Sequence, residues 1–202
     1  MTTVQKDVDE VFLNVRKAYR LLYHYQRRVL DIVQLICSEL HFEYENGDPH
    51  ETKSINHDKK NLNRSAWDFL PLYIYKIQMK PRKVGRKTVS LLIFLQSDSG
   101  PYKTDKSLDE LSAFESVEKS KSRIHFLLCN KHLDSADYDE FFDDKDIPSK
   151  SNNYNSLEYK GGIALIKAFD LCDFINEESA KESLKKLAIR FQKESGVKLP
   201  NI

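Results

Sequence analysis

From Val4 onward, apolar residues recur at alternating steps of four and three: Val4, Val8, Val11, Val15, Ala18, Leu22, Tyr25, Val29, Ile32 and Ile36. A mean step of about 3.5 residues puts them on one stripe of a single α-helix. A second row, Phe12, Tyr19, Val33 and Leu40, runs beside the first and is broken by Gln26. The pattern predicts a helix from Thr3 to Leu40, which at about 1.5 Å per residue extends roughly 55 Å. Such a helix either protrudes, breaks near Tyr23-His24-Tyr25, or spans the body of the fold.

With Val8 as heptad position a and Val11 as d, position g carries Asp7, Asn14, Leu21, Arg28 and Leu35, and position e is mostly apolar. A free-standing coiled coil places complementary charges at e and g. The wider stripe favours packing onto a sheet or into a bundle, at least over the second half, where Leu21 and Leu35 imply burial on more than one side. The first half, with Val4, Val8, Val11, Val15 and Ala18, is the part free to meet a second copy. Purely internal packing and self-association both remain open from the pattern.

The chain has 202 residues, enough for one domain with a sizeable core. Lys and Arg number 32 against 31 Asp and Glu, so no overall field draws it to nucleic acid or anionic lipid. Cys37, Cys129 and Cys172 each follow an apolar residue and have no metal-ligand or redox spacing, so they read as buried, inert thiols in a reducing compartment. The N-terminal residues lack the pattern of a signal peptide, and the apolar run Leu91–Leu95 is far below the ~20 residues of a membrane span. The expectation is a cytoplasmic protein that does not enter a membrane.

Downstream, Asn46-Gly47-Asp48-Pro49 is turn chemistry, and residues 46–65 read as a flexible loop. Two strands apolar on both faces follow, one from Leu72 to Lys80 and one from Thr88 to Gln96, joined as a hairpin through residues 81–87. Ser107 with Glu110 suggests a capped short helix over Ser107–Val117. Arg123–Cys129 reads as a third strand, and Glu158–Phe169 as a fourth with a bulge at Gly161-Gly162. Asn176 caps a last helix over residues 177–195, with Ala180, Leu184, Leu187, Ala188 and Phe191 inward and Gly196 as its stop. The fold expected is α+β: a largely antiparallel sheet of four to five strands, in residues 66–172, packed by the N-terminal helix (1–40) and the C-terminal helix, all within one domain spanning 1–202.

Charge is segregated along the chain. Lys80, Arg82, Lys83, Arg86 and Lys87 crowd the hairpin, which can lie along a phosphate backbone. No helix-turn-helix, zinc-finger or RNA-recognition motif supports that use. Asp134–Asp146 is acidic but lacks the glycine and terminal glutamate of a calcium loop, and its Tyr138, Phe141 and Phe142 suggest docking through the aromatics. A metal-dependent nuclease wants an acidic ligand on one strand and an acid-x-Lys pair on the next. Asp68 followed by Gln78 and Lys80 meets this only loosely, on one strand segment and with glutamine where a carboxylate is needed. His125 and Cys129 share a strand face but lie about 13 Å apart, too far for one zinc ion. His50 and His57 read as solvated loop residues. Neither a phosphate-binding glycine loop nor a nucleophile elbow is present.

The sequence therefore reads as a non-enzymatic binding or assembly module, with neither cofactor nor metal expected; a homodimer through the first helix is one form it can take, and a different protein or a nucleic acid is the other kind of partner. A nucleic-acid-binding protein using residues 80–87 is the runner-up, and the nuclease is a distant third.

Overall fold

A computed structural model describes residues 3–49, 74–100, 114–134, 137, 141 and 153–199, with side chains from residue 8 onward in the first helix. That helix, α1, runs unbroken over Thr3–Leu40. It ends without glycine: His41 takes the left-handed conformation (φ 54°), and the Phe42 amide returns to the Cys37 carbonyl at 3.0 Å. This bond satisfies a carbonyl that the last turn would otherwise leave open.

The strands are β1 (Tyr44–Pro49), β2 (Ile74–Met79), β3 (Arg82–Val84), β4 (Lys87–Gln96), β5 (Arg123–Cys129), β6 (Asn155–Tyr159) and β7 (Gly162–Asp170). A 3-10 turn, Leu171–Phe174, leads to α2, Glu177–Ser195. The sheet order is β1-β2-β4-β5-β7-β6, with β3 on β4, and every pairing is antiparallel. The α+β class holds, with seven strands among the described residues where four to five were expected.

Three differences have local causes. Asn46–Pro49 belong to the edge strand β1, not to a loop. Gly47 serves close approach there: a Cβ would stand 2.7 Å from Tyr75 Cε1 and 3.0 Å from the Lys76 carbonyl. The rest of the expected loop, from His50 through residue 65, lies outside the described residues. Glu158–Phe169 is not one bulged strand but the hairpin β6–β7, because Lys160 and Gly161 both have positive φ (49° and 68°). That is the backbone of a two-residue primed turn, whose twist matches the flanking strands. The β3–β4 hairpin is likewise tighter than expected, with only Gly85 and Arg86 between its strands. Phe114–Val117 are not helical, and the remainder of the expected helix from Ser107 lies outside the described residues.

Period-two alternation gives the sheet two buried faces. Val89, Leu91, Ile93 and Leu95 of β4, with Ile124, Phe126 and Leu128 of β5, pack against Val29, Ile32, Val33 and Ile36 of α1 and the predicted inner face of α2. Leu92, Phe94, Leu127, Cys129 and Ile166 line the opposite face with Leu133 and Phe141. Phe141 is the aromatic anchor foreseen in the acidic segment; it meets the Tyr159 ring at 4.5 Å between centroids. Tyr138 and Phe142 lie outside the described residues. The C-terminal helix starts and stops as expected, Asn176 Oδ1 accepting the Ser179 amide at 2.9 Å and Gly196 adopting φ 68°.

Candidate interaction site: the free arm of the first helix

Among the described residues, it is the second half of α1 that packs on the body. Val29, Ile32, Val33, Ile36 and Leu40 are buried, whereas every residue from Val8 to His24 is exposed. At about 1.5 Å per residue this arm is roughly 25 Å long. Its root is fixed by polar contacts as well as packing. Tyr25 Oη lies 3.1 Å from Ser97 Oγ, and Arg28 donates to the Phe174 and Ile175 carbonyls at 3.3 and 2.5 Å.

The arm carries the stripe out of the core into solvent. Val8, Val11, Phe12, Val15, Tyr19 and Leu22 are 40 to 65% exposed. At about 100° per residue, they and Ala18 fall within an arc of roughly 120°. Leu21, expected to be buried, is 70% exposed, because contact with the body begins only at Tyr25. The side chain of Val4 lies outside the described residues. An isolated helix of this length is marginal in water, and contiguous exposed apolar surface marks interaction sites.

An apolar groove of about 450 Å³ lies beside the root of the arm, between Val29, Leu30 and Val33 of α1 and Tyr44, Tyr75 and Ile77 of the sheet edge. Half-buried Cys37 lines it too, with Sγ 3.5 Å from Met79 Sδ, and burial raises its thiol pKa. Cys129 is buried as expected, but Cys172 is exposed on the 3-10 turn, where the chain crosses the sheet end.

The basic hairpin is largely committed to internal contacts. Lys80 Nζ pairs with Glu43 at 3.0 Å, and the Arg82 guanidinium lies 4.7 Å from the Phe42 ring centroid. Lys83 donates to Thr88 Oγ1 at 2.8 Å, and Lys87 donates to the Ser195 carbonyl at the end of α2 at 3.0 Å. Arg86 occupies the turn, in a small depression it shares with Lys131, His132 and Gly161. Lys131, His132 and Gly161 come from separate segments, so the sequence did not join them to the hairpin.

The nuclease triad is not assembled among the described residues. Gln78 Nε2 donates to Glu45 at 3.0 Å, two residues along each strand from the Lys80–Glu43 pair, and Asp68 lies outside the described residues. No group of three or more His, Cys, Asp and Glu residues is placed to hold a metal among the described residues. Nor is any helix among them long and apolar enough to cross a membrane.

Two polar constellations lie inside the second face. His125, buried, has Nε2 3.2 Å from Gln96 Oε1. Burial, with a smaller push from Arg123, lowers its pKa to about 4, so the ring is neutral at physiological pH. Asp137 accepts bonds from the Tyr159 hydroxyl and the Asp134 amide and is ion-paired to Lys160. Burial opposes its ionisation, but these donors outweigh it and hold the carboxyl below its usual range. Both constellations tie neighbouring elements together.

No curated protein and no solved structure matches the chain. A family match covers residues 5–196, from the start of the arm to the cap of α2, and by that match the chain belongs to the PM0109 family.

Proposed function

We propose that this protein is an assembly module whose docking element is the arm of α1, and that its partner is a second copy of the chain. The observation that carries this reading is the exposure of Val8, Val11, Phe12, Val15, Tyr19 and Leu22 on one face of a helix whose continuation is core. In water those side chains gain nothing from being aligned; against a matching face each is worth a substantial part of the ~1.5–3 kcal/mol of full burial. No catalytic constellation among the described residues competes with this use. The reading treats residues 1–202 as one domain and requires neither cofactor nor metal. Sedimentation velocity over a concentration series tests it: a reversible monomer–dimer transition is expected, and a monomer at every attainable concentration overturns it.

A second reading rests on the turn end of the β3–β4 hairpin, where Arg86 joins Lys131 and His132. That group suits a phosphate. Binding to DNA or RNA that weakens with salt and is lost in an Arg86→Ala/Lys131→Ala variant would support nucleic-acid contact. No salt-sensitive binding by the wild type removes it.

A further inference from the structure

The arm has a direction built into its charges. Asp9 and Glu10 lie near its free end, and Arg16, Lys17 and Arg20 lie nearer the body. Asp9 and Arg16 flank the apolar arc on the same side, at roughly 80 to 100° from Val8 for about 100° per residue. Resting on the assembly reading above, we propose that two arms pair antiparallel, with Val11 of one copy opposite Val15 of the other.

Three independent features select that register. The first is seam packing: setting Val11 opposite Val15 also sets Val8 opposite Ala18, so each layer joins an a to a d position, as antiparallel helices require. Phe12 of both copies then falls beside the two-fold axis, where the wide arc needs bulk. The second is charge. In this register Asp9 lies within one residue, about 1.5 Å along the axis, of the level of Arg16 of the second copy and on the same side of the seam, once on each side of the axis. A parallel pair would instead align acid with acid and base with base, and would add the two helix dipoles unfavourably. The third is length. The exposed arm stops at His24, and this register sets Val4 of each helix level with the partner's Leu22, just short of Tyr25, where its body begins. The described helix, from Thr3, thus pairs within the partner's exposed arm.

Cysteine pairing tests this on the full-length chain, in a Cys172→Ser background to remove the exposed native thiol. Val8→Cys and Ala18→Cys proteins are mixed, equilibrated and oxidised with oxidised glutathione, and the disulfides are mapped by mass spectrometry. Positions 8 and 18 lie about 15 Å apart along a helix, beyond the ~4.4–6.8 Å Cα separation of a disulfide. The expected product is therefore the mixed Val8→Cys–Ala18→Cys dimer, with little of either homodimer disulfide. Homodimer disulfides at both positions would show parallel arms and overturn the orientation, while leaving assembly intact. A sedimenting dimer with no disulfide at either position would mean that the arms do not meet, and would also overturn it. A wild type that remains monomeric defeats the assembly reading itself. A charge swap gives a second measurement: Asp9→Arg and Arg16→Asp should each weaken the dimer by about tenfold, and the double variant should recover it. Failure of the double variant to recover counts against the pairing.

Discussion

Replacing Val11 and Val15 together by alanine separates a docking arm from an ornamental one. Alanine is the strongest helix former, so the substitutions raise the intrinsic helicity of the arm, by up to about 0.7 kcal/mol per position. Loss of self-association therefore cannot be blamed on an unravelled helix. Each valine gives up two carbons, worth about 0.8 kcal/mol apiece when fully transferred from water. The two side chains are 59% and 45% exposed in the free chain, so about half of that value remains for an interface to collect. Over the four valines of a dimer the loss comes to about 3 kcal/mol, or roughly a hundredfold in the dissociation constant. Sedimentation equilibrium supplies that constant, and circular dichroism with a thermal melt verifies that the body is unchanged. A dissociation constant within twofold of wild type, in a protein that is dimeric, would refute the reasoning, because the dimer would then use another surface.

Further expectations concern the body. His125 binds a proton at pH 6.5 when unfolded but only near pH 4 when folded, so its contribution to stability is complete above pH 6.5 and is lost as pH falls from 6.5 towards 4. The difference amounts to about 3 kcal/mol, and urea midpoints from pH 7 to pH 5 should fall in the wild type and flatten in His125→Gln; equal slopes would sink this account. Gly47→Ala forces a methyl against Tyr75 and the Lys76 carbonyl and should cost about 1–3 kcal/mol in urea denaturation, whereas an unchanged midpoint would mean that the edge strand yields freely. Asn176→Ala removes the acceptor for the Ser179 amide and should lower stability by about 1 kcal/mol, with Asn176→Ser retaining most of it; equal loss in both variants would deny the cap a role.

Local periodicity and capping chemistry were legible from the chain. The extent of α1, the strand Arg123–Cys129 and both ends of α2 follow from side-chain spacing, one asparagine and one glycine, because those signals are satisfied within a few residues. Where a residue's role depends on a distant neighbour, the same reasoning failed. Gly47 resembles a turn glycine until Tyr75 is set above it, and Lys160-Gly161 resembles a bulge until β6 folds back on β7. The basic hairpin looked like a free cationic ribbon, yet Glu43, Phe42 and the end of α2 engage most of its charges.

The sequence by itself determined that a long helix with one apolar stripe had to exist, since the step of three and four residues admits no other regular structure. It also held the charge order along the arm. Only the tertiary structure decided which part of the stripe is core and which part meets solvent. The dividing line at Tyr25 is set by where the sheet ends beneath the helix, a distance that no local pattern records. Burial is a property of what lies opposite a residue, and along one uniform stripe the chain carries identical local signals on both sides of that line.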